Sequence, residues 1–183
     1  MRAWLRSNWI GLVAVVVLLP ATVGITFANE WTGYFSERPS APVDVAAGDP
    51  GGFAEAGWIV EATDRIPASS PEGEDIGLPA GSELVVVSTR VSPGQLDDKG
   101  ESPRCLVRLE ELDGDTVTRS WDDSLFERIS YTRTDGAFGM CTASNVDPYL
   151  LESIFVVPAD AGDELALSVT VISELPRYLR LRL

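Results

Sequence analysis

Residues Trp9 to Ala28, WIGLVAVVVLLPATVGITFA, form an apolar run without a single charged side chain. Twenty residues at about 1.5 Å of helical rise span about 30 Å, the thickness of a bilayer's hydrocarbon core. A stretch of this kind limits the chain to a membrane anchor or a secretory signal followed by an exported body. Arg2 and Arg6 precede the run and Glu30 and Glu37 follow it. The positive-inside rule therefore places residues 1–8 in the cytoplasm and the rest of the chain outside, as a single-pass protein of the cell membrane. Trp4, Trp9, Trp31 and Tyr34 flank the run as interfacial aromatics do. Pro20 falls mid-span, where it predicts a kink that a membrane helix tolerates. Thr26 and Ala28 offer small residues for signal cleavage, but the apolar stretch continues past Pro20 through Val23, Ile25 and Phe27. That favours an uncleaved signal anchor over residues 9–28.

Everything acidic lies beyond this run. All 28 Asp and Glu residues fall at or after Glu30, against 12 basic residues, a net charge of −16. Phosphate backbones are repelled by such a surface, so nucleic acid is excluded as a partner. No histidine occurs, which removes the commonest general base and metal ligand and rules out a Ser-His-Asp triad. Nucleophile-elbow, Ser-x-x-Lys, zinc, P-loop and dinucleotide signatures are also missing, so neither an enzyme nor a cofactor is expected.

Residues 29–42 read as a helix extension giving way to a linker, because Pro39 and Pro42 disfavour helix before them. From residue 43 to 183 the period becomes two. Ser82 to Val91 is the strongest strand; Val85, Val87, Thr89 and Val91 share one face and Leu84 and Val86 the other, as expected of a central strand. Shorter alternations occur at Val43–Val45, Gly57–Ala62, Cys105–Leu112, Thr116–Trp121, Leu150–Val157, Glu164–Ile172 and Arg177–Leu183, with a further short strand expected around Ile129–Thr132. Pro67 to Pro79 reads as a polar loop, and Asp113-Gly114 as a hairpin turn. Seven to nine short strands separated by turns predict an antiparallel β-sandwich of immunoglobulin-like type. Trp121, between the two cysteines, meets the antibody Cys–Trp–Cys pattern only loosely.

Cys105 and Cys141 are an even pair in an exported body, and a structural disulfide is expected. Acidic turns are the weak candidates for a metal: Asp97, Asp98 and Glu101 in one loop, Asp160, Asp163 and Glu164 in another, with Asp113/Asp115 and Asp122/Asp123 besides. None has calcium-loop spacing, and Asp is favoured in turns for local hydrogen bonds. Arg177, Arg180 and Arg182 are the weak candidates for partner binding. They read as a docking stripe or, preferably, as charges that blunt an edge strand and pair with nearby acids.

The segments RAWLRSNWIGLVAVVVLLP, WTGYFSERPSAPV, LPAGSELVVVSTRVSPG, FVVPADAGDELAL and LPRYLRLRL together resemble a group of uncharacterised actinobacterial single-pass membrane proteins with an extracytoplasmic β-sandwich domain. The resemblance implies the anchor and the topology, and it carries no activity or site residues. The expected role is an interaction or envelope-structural module held in the bilayer through residues 9–28. Its rivals are an accessory or sensor subunit packed on a membrane-protein partner, and a calcium-dependent or carbohydrate-binding domain.

Overall fold

A computed structural model describes residues 4, 8–96, 98–123, 129–142 and 144–183. The chain divides into two compact units, Met1–Arg38 and Pro39–Leu183. In the first, helix α1 runs from Trp9 to Ser36, eight residues beyond the apolar run. Twenty-eight residues make a rod of about 42 Å. Its described large apolar side chains from Ile10 to Phe27 stand 51–70% exposed. The hydroxyls of Thr22 and Thr32 turn back to the carbonyls of Leu18 and Ala28, 2.8 Å each. The span from Trp9 to Tyr34 is long and apolar enough to cross a bilayer.

The second unit is a β-sandwich of nine strands. β1 (Ala41–Val45), β5 (Cys105–Asp113), β6 (Thr116–Asp122), β8 (Leu165–Val171) and β9 (Arg177–Arg182) form one sheet in the order β1-β9-β8-β5-β6. β2 (Gly51–Phe53), β3 (Ala56–Pro67), β4 (Ser82–Pro93) and β7 (Tyr149–Pro158) form the other, in the order β2-β3-β4-β7. Pairing is antiparallel throughout except between β1 and β9, which run parallel with Val43 opposite Leu179. β1 begins two residues ahead of the expected Val43, so only Glu37–Ser40 separate it from α1. Pro42 sits in this edge strand, where a missing amide is tolerated.

β4 is interior, as its two apolar faces require. Val85, Val87 and Val91 meet Leu151, Phe155, Leu109, Leu167, Val169, Leu179 and Leu181 between the sheets. Leu84 and Val86 point outward to a second apolar cluster with Ile66, Ile76 and Ile154. Two segments pack on that outer cluster. One is a six-residue helix, α2 (Pro71–Ile76), inside the stretch expected to be a loop. Ser70 caps it by accepting from the Gly73 amide at 3.0 Å, and Gly77 closes it at φ 81°. Six residues are too few to establish a 3.6-residue period, so the capping pattern was the only legible signal. The other contributes Ile129 and Tyr131; residues 129–132 form no strand, contrary to expectation. This segment is held instead by the buried Glu152, which accepts from Thr134 Oγ1 at 2.6 Å and from the Thr134 amide and Tyr131 Oη at 3.2 Å. Burial, with Glu152 beside it, pushes the Tyr131 hydroxyl up to about 12.

The antibody arrangement is not present. The disulfide ties β5 to a non-strand segment rather than joining the two sheets strand to strand, and Trp121 lies in β6.

The β2–β3 turn holds Ala54 and Glu55 at φ 51° and 56°, a left-handed conformation that suits Asn and Gly. Gly94 packs directly on it: a Cβ there would stand 2.1 Å from the Glu55 carbonyl oxygen. The double substitution Ala54→Asn, Glu55→Gly is expected to stabilise the domain by about 1 kcal/mol, the strain relieved less the entropy of a new glycine. A thermal melt checks this, and a lower Tm would contradict it.

Candidate functional site

The ion pairs decide which charged side chains are available for function. Arg65 on β3 and Arg119 on β6, from opposite sheets, grip the turn between β7 and β8. Arg65 donates to the carbonyls of Ala161 and Gly162 at 2.9 and 3.2 Å and to Asp163 at 3.1 Å, and it also pairs with Glu83. Arg119 donates to the Asp160 carbonyl and carboxylate at 2.9 and 3.0 Å and pairs with Glu111, whose carboxyl it holds below the usual range. Two of the weak metal candidates, Asp160 and Asp163, are thus bound by guanidiniums; Glu164 gives its carbonyl to the Leu112 amide at 2.8 Å. Asp98 and Glu101 lie on the loop before β5, bordering a depression shared with Glu55 and Glu174. Asp97 lies outside the described residues. Among the described residues no three acidic or cysteine side chains are gathered as for a metal ion.

The C-terminal arginines do not form the exposed stripe or the guarded edge that their sequence implies, because β9 is interior, between β1 and β8. Arg180 is only 3% exposed. It donates to Glu110 at 3.0 Å and to Tyr178 Oη at 2.6 Å, and reaches Asp44 and the Asp115 carbonyl at 3.4 and 3.3 Å. Arg182 pairs with Asp115 at 2.7 Å and Arg177 with Glu174. The pairing with nearby acids is as expected. What alternation could not reveal is that the β5–β6 hairpin tip reaches across to β9.

Cys105 and Cys141 are joined as a disulfide, with Cα atoms 5.3 Å apart. The surface around it differs from the rest of the domain. Exposed large apolar side chains among the described residues of this unit are Leu106, Val117, Phe138, Met140, Val146 and Ile172. All but Val117 lie on the stretches that flank the disulfide: Leu106 beside Cys105, Ile172 beside Val171, which pairs with Cys105, and the other three on either side of Cys141. A cleft of about 560 Å³ opens there, lined by Arg104, Met140, Cys141, Thr142, Ser144 and Val146. Thr142 and Ser144 share a hydroxyl hydrogen bond of 2.9 Å, and Thr142 donates to Asn145 at 3.1 Å. Sequence reasoning singled out Cys141, but it missed Arg104, Met140, Thr142, Ser144 and Val146 as lining of a cleft. They lie outside any strand, in stretches with no period to read.

The fold and this cleft define a disulfide-stapled β-sandwich with an apolar helix preceding it. No family model matches the chain, and no curated protein matches it. Three solved structures are similar to it. A candidate lipoprotein of Bacillus subtilis is 15% identical, aligned over 73% of this chain with a TM-score of 0.45. This chain spans only 38% of that protein's length. A candidate lipoprotein of Staphylococcus aureus is 13% identical over 74% of this chain and 89% of its own, with a TM-score of 0.39. A β-sandwich protein of Clostridium difficile is 10% identical over 80% of this chain and 97% of its own, also with a TM-score of 0.39. At these identities the likeness concerns the fold alone.

Proposed function

We infer that the protein is a membrane-anchored, extracytoplasmic β-sandwich that acts by binding rather than by catalysis, as an interaction or envelope-structural module. The observation that carries this reading is α1, whose described large apolar side chains from Ile10 to Phe27 stand exposed along a span long enough to cross a bilayer. A helix of that composition is stable only in lipid or against another protein. The disulfide supports an oxidising compartment, and the apolar surface around it supports a contact role. Arginines already hold Asp160 and Asp163, so a calcium-binding reading has little to draw on there.

The test is to tag the protein after Leu183 in its native membrane and determine its N-terminus and its accessibility to external protease. An intact N-terminus, a domain cleaved only from outside and resistance to carbonate extraction are expected. A mature chain beginning after Ala28 would overturn the anchor. A stoichiometric integral-membrane partner lost when residues 9–28 are replaced by an unrelated helix would convert the reading to an accessory subunit.

A further inference from the structure

We propose that the cleft beside the disulfide is a binding site for a single carboxylate carried on an aliphatic body, with Arg104 as the residue that receives the carboxylate.

The first argument is what Arg104 does not do. Arg65, Arg90, Arg108, Arg119, Arg177, Arg180 and Arg182 are each paired with at least one carboxylate. Arg38 stacks on Tyr34, and Arg133 donates to the Glu152 carbonyl. Arg104 is the described arginine that makes no hydrogen bond, ion pair or ring contact to the described residues. In a segment with 28 acids and 12 bases, a partner should be easy to find, so an unengaged guanidinium at a cleft is the exception. Guanidinium is also the side chain whose planar fork matches a carboxylate with two parallel hydrogen bonds.

The second argument is the shape and chemistry around it. A volume of about 560 Å³ lies in the range of small-ligand sites. Met140 and Val146, 47% and 39% exposed, supply apolar wall, and Met is adaptable enough to take aliphatic bodies of several shapes. The hydroxyls of Thr142 and Ser144 lie on the same wall with their protons already committed, that of Thr142 to Asn145 and that of Ser144 to Thr142, which leaves Arg104 as the donor for the carboxylate. Glu101 borders the cleft as well. Its charge disfavours a second carboxylate on the ligand and sets the preference for a monoanion. The acidic surface elsewhere does not forbid binding, because charges more than about 8 Å away are largely screened at physiological ionic strength.

Two sources carry this chemistry, the C-terminal residue of a peptide and a short-chain lipid acid. The proposal names what the interaction module would bind, so it depends on that reading for its use. It does not depend on the anchor, and the topology test above and the titration below can fail separately.

The experiment is a saturation-transfer NMR titration of the full chain in nanodiscs, with N-acetyl-leucine, its carboxamide and octanoate as probes, each against empty nanodiscs as blank. At least one acid is expected to bind while the carboxamide does not, and the acid that binds identifies the source. Arg104→Gln is expected to weaken that acid at least tenfold, about 1.4 kcal/mol, and Arg104→Lys less. Arg104 is exposed, so the variants should fold; an unchanged Tm and an intact disulfide by mass confirm it. Binding of neither acid, equal binding of the carboxamide, or affinity unchanged in Arg104→Gln would each overturn the proposal.

Discussion

Replacing Cys105 and Cys141 together by alanine is expected to cost about 4 kcal/mol of stability. The bond closes a loop with a sequence separation of 36, and the chain-entropy account gives that figure for a loop of this size. For a domain of this length the loss corresponds to a fall in Tm of about 10–15 °C. Calorimetry of the double variant measures it, and reduction of the parent protein should reproduce it. The far side of the same segment is held by Phe138, which donates to the Leu150 carbonyl and accepts from the Glu152 amide at 2.8 Å each. Those bonds remain in the variant, so the sandwich should persist while the cleft loses its floor. A change of less than about 3 °C would show that the segment docks without the covalent link.

Replacing Arg180 by methionine should be comparably damaging for a different reason. Arg180 and Glu110 are both buried, and removal of one partner leaves the other charge stranded, which costs about 3–5 kcal/mol. The pH dependence identifies the cause. Burial already holds the Glu110 carboxyl above its usual range, with Arg180 opposing the rise. Without Arg180 the folded-state value climbs further above the unfolded one. A raised carboxyl contributes stability that is fully present below the unfolded value, near pH 4, and is lost as pH rises through the folded value. The deficit of Arg180→Met relative to the parent should therefore be largest at neutral pH and shrink toward pH 4. Asp122, held low by Arg108, loses its contribution on acidification, but it does so in both proteins and cancels in the comparison. Adding Glu110→Leu should recover most of the loss at pH 7. A deficit independent of pH would mean that packing around Arg180, not the stranded charge, is what matters.

Strand content was legible because a sandwich imposes the shortest period a chain can have. Val85, Val87 and Val91 against Leu84 and Val86 announced a strand covered on both faces, and β4 is covered on both. Leu179 and Leu181, which alternate with Tyr178 and Arg180, lie in the core between the sheets. What failed depends on distance in space. Arg180 alternates like a surface residue, but the β5–β6 hairpin folds over it, and no local pattern encodes a contact 65 to 70 positions away. The parallel pairing of β1 with β9 is invisible for the same reason. The cleft was the least legible part, since Met140, Thr142, Ser144 and Val146 belong to a stretch whose shape is set by one disulfide and a few backbone bonds rather than by periodicity.

The parallel pairing of the sandwich's first and last strands has a mechanical consequence. Ala41 to Val45 lie beside Arg177 to Leu181 in the same direction, so the start of β1 and the end of β9 are at opposite ends of the paired strands. Tension that enters at Ala41 and leaves at Arg182 acts along both strands. The hydrogen bonds of the pair then carry the load together in shear instead of opening one at a time as a hairpin would. A sandwich whose first and last strands pair this way resists a pull between those two ends, because neither strand can leave the sheet before the bonds between them fail together.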